Sequence, residues 1–343
     1  MFSEETQNLP LVTFVIPSYN AEAHIERCLT AIERQKYPRE KIEVLLIDGD
    51  SSDRTLEIAR SFQVRVINNP HRIAEFAKSI GIRHSKGKYL VILDCDNEIS
   101  SDEWLVKNVL PLENDNSLIG MDSVFLVKKG DFLVNRYCAL LGLEDPFIRY
   151  LADLSRNSDQ EDHEAYLVYK IKPGRFPIFG SNGFIWRRSI FFEVNNFSPR
   201  YDEADFCVNV VERGYNRIGF VSEVGVYHHH LENVWDFIGK RIRRGNEFML
   251  RNSIPGGAKV GKPGVWIDKY SKVELLKSLF FCLTFFYPAY EAVKGYVRYR
   301  DVAWFMHPFL SFLTIVAYVF IFIQFKISNY GSCLLRFLTL RLK

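Results

Sequence analysis

Cysteine is sparse and unpaired in this chain. Cys28, Cys95, Cys138, Cys207, Cys282 and Cys333 show no recurring spacing, which excludes a disulfide framework and fits a reducing compartment. Net charge is equally small: a formal +3 over 343 residues argues against a nucleic-acid partner. No apolar run precedes Val12, and Met1–Pro10 is polar and acidic, so no secretory signal is expected and the N-terminal domain is placed in the cytoplasm. Internal repeats and long low-complexity linkers are absent; Pro255-Gly256-Gly257 to Lys262-Pro263-Gly264 is the best joint between domains.

The most informative stretch present is Asp94-Cys95-Asp96, which ends the apolar run Tyr89–Leu93 and sets two carboxylates at the lip of a buried strand. Open α/β sheets bind ligands there. Carboxylates at alternate strand positions face opposite ways, but a chain turning out of a strand can aim both at one divalent cation. Hard oxygen ligands suit Mg²⁺ or Mn²⁺ held by few carboxylates plus substrate phosphates. An ordinary turn over Asp94–Asn97 is the other reading. Upstream, Val12–Asn20 reads as a strand punctuated by Pro17, and Ile25, Leu29 and Ile32 share a helix face. A strand at Val44–Ile47 runs into Asp48-Gly49-Asp50-Ser51-Ser52-Asp53 and a helix over Arg54–Phe62. A third strand, Val64–Ile67, and a helix over Ala74–His84 lead to the strand that carries Asp94. The alternation predicts a parallel sheet with right-handed crossovers, its carboxyl edge gathering Ser18, Asp48 and Asp94.

Taken in order, Pro17-Ser18-Tyr19-Asn20, Ile47-Asp48-Gly49-Asp50-Ser51-Ser52-Asp53-Arg54-Thr55, Ala77-Lys78-Ser79-Ile80-Gly81-Ile82 and Lys86-Gly87-Lys88-Tyr89 ahead of Asp94-Cys95-Asp96 resemble glycosyltransferase family 2. The resemblance implies a GT-A type nucleotide-sugar-binding fold, α/β with a mixed, mostly parallel sheet. It also implies a divalent metal, Mn²⁺ or Mg²⁺, and transfer with inversion at the anomeric carbon. It assigns Pro17, Tyr19, Asn20, Asp48, Asp50, Lys78 and Asp94 to the donor, and Asp94, Asp96 and His228 to the metal. Asp48 is the natural nucleobase contact, since a carboxylate accepts from a ring N–H. Gly49 and Asp50 stand where the family more often has Asp and Gly, so Asp50 either meets the donor or caps the next helix. Lys78 takes a frequent Arg position and Ser79 a frequent Asn position, which alters the diphosphate contacts. Arg54, Arg72 and Lys78 read equally as solvated charges.

Inverting transfer needs a general base opposite the leaving diphosphate. Tyr201-Asp202-Glu203-Ala204-Asp205-Phe206 opens a helix that continues through Val208 and Val211 to Gly214-Tyr215. The family's helix opens with Glu-Asp and closes with Gly-aromatic, so the resemblance ranks Glu203 first as base, Asp202 second and Asp205 third. Alternatively, all three complement a helix N-terminus. In Phe179-Gly180-Ser181-Asn182-Gly183-Phe184-Ile185 the glycines allow close backbone approach to a ligand. The resemblance makes Asn182 a sugar contact; a plain turn is the alternative. Gly120–Pro177 matches no motif and is the expected seat of acceptor specificity. After a strand over Val221–Val226, Tyr227-His228-His229-His230 offers imidazoles, of which one or two can share a metal with Asp96.

Phe237–Gly245 is a basic helix with an apolar stripe. Either Lys240, Arg243 or Arg244 stabilises the departing diphosphate, as the resemblance suggests, or the helix lies on anionic headgroups. Aromatic residues make up 15% of the chain and charged ones 25%, with apolar residues crowding the C-terminal end. Val302–Phe325 is apolar apart from His307 and Gln324 and exceeds the roughly 20 residues that span a bilayer. Leu275–Val297, interrupted by Lys277, Pro288, Glu291 and Lys294, either crosses at a tilt or lies re-entrant; the expected arrangement is a crossing that pairs with it as a transmembrane hairpin through Arg298-Tyr299-Arg300-Asp301. Cys333–Leu342 would form a third, interfacial element. The expected domains are a GT-A domain at 1–235, a basic interfacial segment at 236–274, the hairpin at 275–326 and a basic tail at 327–343.

Similar architectures include dolichyl-phosphate mannosyltransferases and minimal relatives of cellulose synthase, although the lack of a Gln-x-x-Arg-Trp string argues against processive polymerisation. The expectation is a multi-pass enzyme of the cell membrane with a cytoplasmic catalytic domain. It would pass a sugar from a nucleoside diphosphate, GDP-mannose first and a UDP-sugar next, to a lipid-linked acceptor, a polyprenyl or dolichyl phosphate or a lipid-linked glycan. A nucleotidyltransferase and a catalytically idle nucleotide-sugar-binding membrane protein are the alternatives.

Overall fold

A computed structural model of the protein describes residues 8–142, 145–180, 182–194, 199–229, 231–253 and 266–340, with backbone alone for 247–253 and 328–340. The chain forms two compact units, the first comprising residues 1–129, 152–230 and 265–269. In it β1 (Val12–Ser18), β2 (Ile42–Asp48), β3 (Arg65–Asn68) and β4 (Tyr89–Ile92) run parallel, linked by α1 (Ile25–Glu33), α2 (Thr55–Ala59) and α3 (Ala74–His84). Every residue of β1 is buried, because helices cover both faces of the sheet, and its sequence is accordingly almost unbroken apolar. The helix expected over Arg54–Phe62 stops at Ala59: Ser61 and Phe62 donate to Ile58 and Ala59, tightening the last turn.

Past β4 the sheet becomes mixed. Its further elements are β5 (Asn97–Ile99), α4 (Trp104–Asn114), β6 (Gly120–Phe125), β7 (Ser158–His163), β8 (Tyr166–Ile171), β9 (Ile185–Arg187), α7 (Arg188–Val194), α8 (Glu203–Glu212) and β10 (Arg217–His228). The order is β3-β2-β1-β4-β9-β6-β10-β8-β7, with β5 on the end of β10. Strand β9 lies antiparallel between β4 and β6, and β7–β8 is an antiparallel hairpin against β10, so the sheet is mixed as expected but not mostly parallel: its parallel pairings are those within β1–β4 and the β6/β10 pair. The strand expected at Val221–Val226 begins at Arg217; a bulge between Val221 and Gly225 lets one strand pair with β8 first and β5 last. One core layer packs Phe14, Leu46 and Val91 against α1 and α4; the other packs Val15, Leu45, Leu90 and Trp186 against α3, α7 and α8.

The second unit comprises residues 130–151, 231–264 and 270–343. Its helices are α5 (Leu133–Leu141), α6 (Pro146–Ala152, all but the last residue), α9 (Val234–Ser253), α10 (Lys272–Leu283), α11 (Phe286–Tyr299) and α12 (His307–Leu340). Among the described residues, Val302–Ile327 is the one stretch long and apolar enough to cross a membrane unbroken. The segment expected over Leu275–Val297 is a pair, α10 and α11, bent by 73°. Extended Thr284 ends α10, and Pro288 falls in the first turn of α11, where its missing N–H is no loss. Cys333–Leu342 is not a separate element, since α12 continues to Leu340. An apolar core of Val134, Leu141, Phe237, Trp304 and Leu310 encloses one polar cluster, in which fully buried His307 meets Tyr137 Oη at 2.8 Å, Tyr150 Oη at 3.0 Å and Glu291 Oε2 at 3.3 Å. The joint at Pro255–Gly264 lies outside the described residues.

Candidate active site

Strands β1 and β2 end level, with Ser18 opposite Asp48. Ser18 Oγ donates to Asp48 Oδ1 (2.8 Å), and Ser51 adds its backbone N–H (2.9 Å) and hydroxyl (2.6 Å). The buried Asp48 carboxylate therefore spends most of its roughly four acceptor directions on its own loop. Asn20 ties the same loops together, its N–H donating to Ser51 Oγ and its Oδ1 accepting from Ser52 N, each at 2.9 Å. Pro17 is buried within β1 opposite Ile47 and shapes the strand end. Asp50, at a left-handed φ of 66°, turns outward into an exposed ion pair with Arg72, whose guanidinium lies 5.9 Å from the Tyr19 ring centroid. An exposed ring with a cation beside it suits a planar, polar base.

At the end of β4, Asp94 is held from two elements. Its N–H donates to Asn182 Oδ1 (2.8 Å) while Asn182 Nδ2 donates to its Oδ2 (3.0 Å). Lys78 Nζ, from α3, stands 3.3 Å from Oδ1. The loop that presents Asn182 needs glycine on both sides. Gly180 and Gly183 have φ of 83° and 84°, and a Cβ there would lie 2.1 Å from Trp186 and 2.9 Å from Val226. Burial alone would lower the Lys78 pKa, but Asp94, then Glu203 and Glu75, outweigh it and hold the ammonium above its ordinary range. Glu203 of α8 is thus within electrostatic reach of the Lys78 ammonium.

The three candidate bases have different tasks. Asp202 is the N-cap of α8 and accepts from Asp205 N at 3.2 Å, with burial pushing its pKa up. Asp205 Oδ1 accepts from Trp266 N at 3.1 Å. Tyr201 N donates to Glu75 O (3.0 Å) and Arg200 pairs with Glu75 (3.3 Å), so the start of α8 is fastened to α3, the helix that carries Lys78.

Strand β5 returns antiparallel on β10 with Asn97 opposite His228. One residue earlier, Asp96 Oδ2 consequently meets His228 Nε2 at 3.3 Å, while Asn97 Nδ2 donates to Asp96 Oδ1 at 3.0 Å. Neighbouring donors around an octahedral ion with ligand distances of about 2.1 Å sit about 3 Å apart, so this pair fits a Mn²⁺ or Mg²⁺ corner. Asp94 faces Lys78 and Asn182 instead, and among the described residues no three acidic, cysteine or histidine side chains converge on one point. Two protein ligands with a diphosphate completing the shell is the usual arrangement for such ions. Burial, with Asp96 and Asp94 nearby, pushes the Cys95 thiol up to about 12. Arg243 and Arg244 are exposed on α9, in the second unit.

Two acids were not singled out by sequence. Glu98 Oε2 lies 2.5 Å from Lys128 Nζ and 3.2 Å from His229 Nε2, and these partners prevail over burial to lower its pKa. It secures the end of β10 behind His228. Asp122 sits inside β6, where burial pushes its carboxyl up to about 7. An acid within the otherwise apolar start of β6 was the available signal.

The profile of the family described as Glycosyl transferase family 2 matches residues 13–191, more than half of the chain. The glycosyltransferase AglE of Haloferax volcanii is 32% identical over 146 residues, 40% of this chain and 48% of that protein. A dolichyl N-acetyl-α-D-glucosaminyl phosphate glucuronosyltransferase of Methanococcus voltae is 31% identical over 88 residues, 24% of this chain and 27% of that one. The chain thus spans less than half the length of these curated relatives. Among solved structures, the mannosyltransferase PcManGT of Pyrobaculum calidifontis, in complex with GDP-Man and Mn²⁺, has a TM-score of 0.52 at 18% identity, covering 92% of this chain and 88% of that one, which establishes a shared fold.

Proposed function

Because the chain belongs to glycosyltransferase family 2, we propose that it is an inverting, metal-assisted glycosyltransferase of the cytoplasmic membrane face, moving a sugar from a nucleoside diphosphate to a lipid-linked acceptor. The observation that carries this reading is the Asp96–His228 contact, 3.3 Å across, at the carboxyl edge of the sheet where Asp48 and Asp94 also end. Family membership displaces the nucleotidyltransferase alternative and favours a transferase over an idle binder.

Asp96 and His228 would hold Mn²⁺ or Mg²⁺, which when bound supplies positive charge against the leaving diphosphate. Tyr19 and Arg72 form the shelf for the base, and Asp48 keeps the loop beneath it in shape. Lys78 neutralises Asp94, so that carboxylate does not repel an incoming diphosphate. Asn182 fixes the direction of Asp94 toward the donor sugar. Glu203 takes the proton from the acceptor hydroxyl as the bond to the anomeric carbon forms. GDP-mannose is the first donor to test and a UDP-sugar the next.

For the membrane, support comes from the second unit. Phe286 is 90% exposed and Trp235 79%, and Phe309, Val319, Phe320 and Phe322 line α12 in the same state. A core helix would bury those side chains. The relative from Methanococcus voltae, whose name gives a dolichyl-phosphate-linked sugar as substrate, supports a lipid-linked acceptor.

The test is turnover by detergent-solubilised protein of GDP- and UDP-sugars, with Mn²⁺ or Mg²⁺ and with or without lipid acceptors. Metal-dependent release of one nucleotide that rises with lipid is expected. Silence with every donor, together with no nucleotide binding, overturns the reading.

A further inference from the structure

One face of the sheet in the first unit sets an acid beside aromatic rings. Asp122, Phe220 and Leu167 stand side by side on β6, β10 and β8, in register, and all three are half-buried. In the adjoining row Ile218 packs with Phe206 and Cys207 of α8, so the Asp122 row faces the helix that carries Glu203. Tyr169, beside Ile218, crosses Phe220 edge-on with ring centroids 5.7 Å apart. Cys207, one turn beyond Glu203, feels both Glu203 and Asp122, after burial itself, as forces that raise its thiol pKa. Across the sheet, Val91, Ile185 and Met121 are level. Asp122 therefore lies about two strand spacings, roughly 10 Å, sideways from Asp94 and two residues, about 7 Å, behind it.

Among the described residues Asp122 makes no ion pair; its Oδ1 accepts from the Ser123 N–H, which favours the charged form, and burial outweighs that bond. Among the described residues, Lys78 is paired with Asp94, Arg200 with Glu75 and Lys269 with Glu212. A phosphate monoester is largely dianionic at neutral pH and, as a nucleophile, needs cations and no base. A sugar hydroxyl needs a base and finds in a carboxylate an acceptor for its own protons, while its C–H face rests on aromatic rings.

We propose that Asp122 is an acceptor-binding residue and that the group glycosylated is a hydroxyl of a sugar already on the lipid, not a bare lipid phosphate. Phe220 and Tyr169 form the shelf under that sugar, Asp122 receives one of its hydroxyls, and Glu203 deprotonates the attacking one. This rests on the transferase reading above.

The test compares polyprenyl phosphate with the same lipid bearing one hexose or N-acetylhexosamine, using the full detergent-solubilised chain at pH 8, where Asp122 is ionised. The sugar-bearing lipid is expected to have a kcat/KM about tenfold or more higher, and Asp122→Asn to raise the KM for that acceptor about tenfold, the worth of one charged hydrogen bond. The donor KM should stay within about twofold, since the change is isosteric and lies outside the donor half. Equal or better use of bare polyprenyl phosphate, or an unchanged acceptor KM in Asp122→Asn, overturns the inference while leaving the transferase intact. Absence of turnover with every donor and acceptor removes both. Nucleotide-dependent thermal stabilisation of the variant shows that it is folded.

Discussion

Asn182 grips Asp94 at two points, taking its backbone N–H on Oδ1 at 2.8 Å and giving Nδ2 to its Oδ2 at 3.0 Å, across 88 residues of chain. The amide complements the peptide and the carboxylate of one residue at once. Asn182→Ala is expected to lower stability by about 2 kcal/mol, because it removes a hydrogen bond to a charged group and leaves a peptide N–H without its acceptor. Asn182→Asp, which sets a second carboxylate against Asp94, should lower activity further than Ala does; equal activity of the two variants would contradict the clamp.

Asp96→Asn keeps the side-chain shape and loses the charge that faces His228. It is expected to reduce kcat by about a hundredfold or more with an unchanged melting temperature. Titration of Mn²⁺ into nucleotide-release assays gives a second readout, and the variant should need a much higher metal concentration than wild type. A fully active variant would refute the metal site.

Glu203→Gln and Asp202→Ala separate base from cap. The first should lower kcat by about a hundred- to ten-thousandfold while nucleotide binding by calorimetry persists. The second should destabilise the protein by about 1 kcal/mol, the value of an N-cap, with a smaller loss of turnover. Reversal of these two patterns would move the base to Asp202.

Asp122 sets a pH dependence of stability. Its folded pKa, about 7, lies above the ordinary carboxylate range, so the neutral form is the one folding favours. The associated stability is complete below about pH 4 and is lost as pH rises through 7. Thermal melts of wild type and Asp122→Asn should therefore converge in relative stability at acid pH and diverge in favour of the variant by pH 8. Parallel curves would show that the carboxyl is better solvated than its position implies.

Much of the first unit is legible in its residues. Alternating apolar strands and helices from Val12 to Ile92 specify parallel order through local periodicity, and the carboxyl edge follows from that order. What sequence leaves open is pairing between distant strands. The insertion of β9 between β4 and β6, and the return of β5 onto β10, are settled by pairing between strands distant in the chain and have no local signature. Asp96 and His228 could be nominated from chemistry; their contact depends on that register. Asp94 shows the opposite case, since its position at the strand end was readable but its partners, Lys78 and Asn182, were decided by packing. In the second unit the apolar stretch of α12 was plain from composition. The break at Thr284 was not, because Pro288 reads the same inside a kinked helix as in the first turn of a new one.

Each unit is assembled from three separate stretches of chain, so the polypeptide passes between them five times. Modular exchange is therefore closed to this protein. A piece ending at residue 230 would discard the Trp266 N–H that serves Asp205 and the Lys269 that pairs with Glu212. It would also retain Arg136 and Tyr137 after removing Asp301 and His307, the groups they bind. A sheet unit of this kind cannot be transplanted onto another helical unit by one recombination event; the two units are inherited together, and an exchange between relatives would have to carry residues 130–151 and 265–269 along with the C-terminal helices.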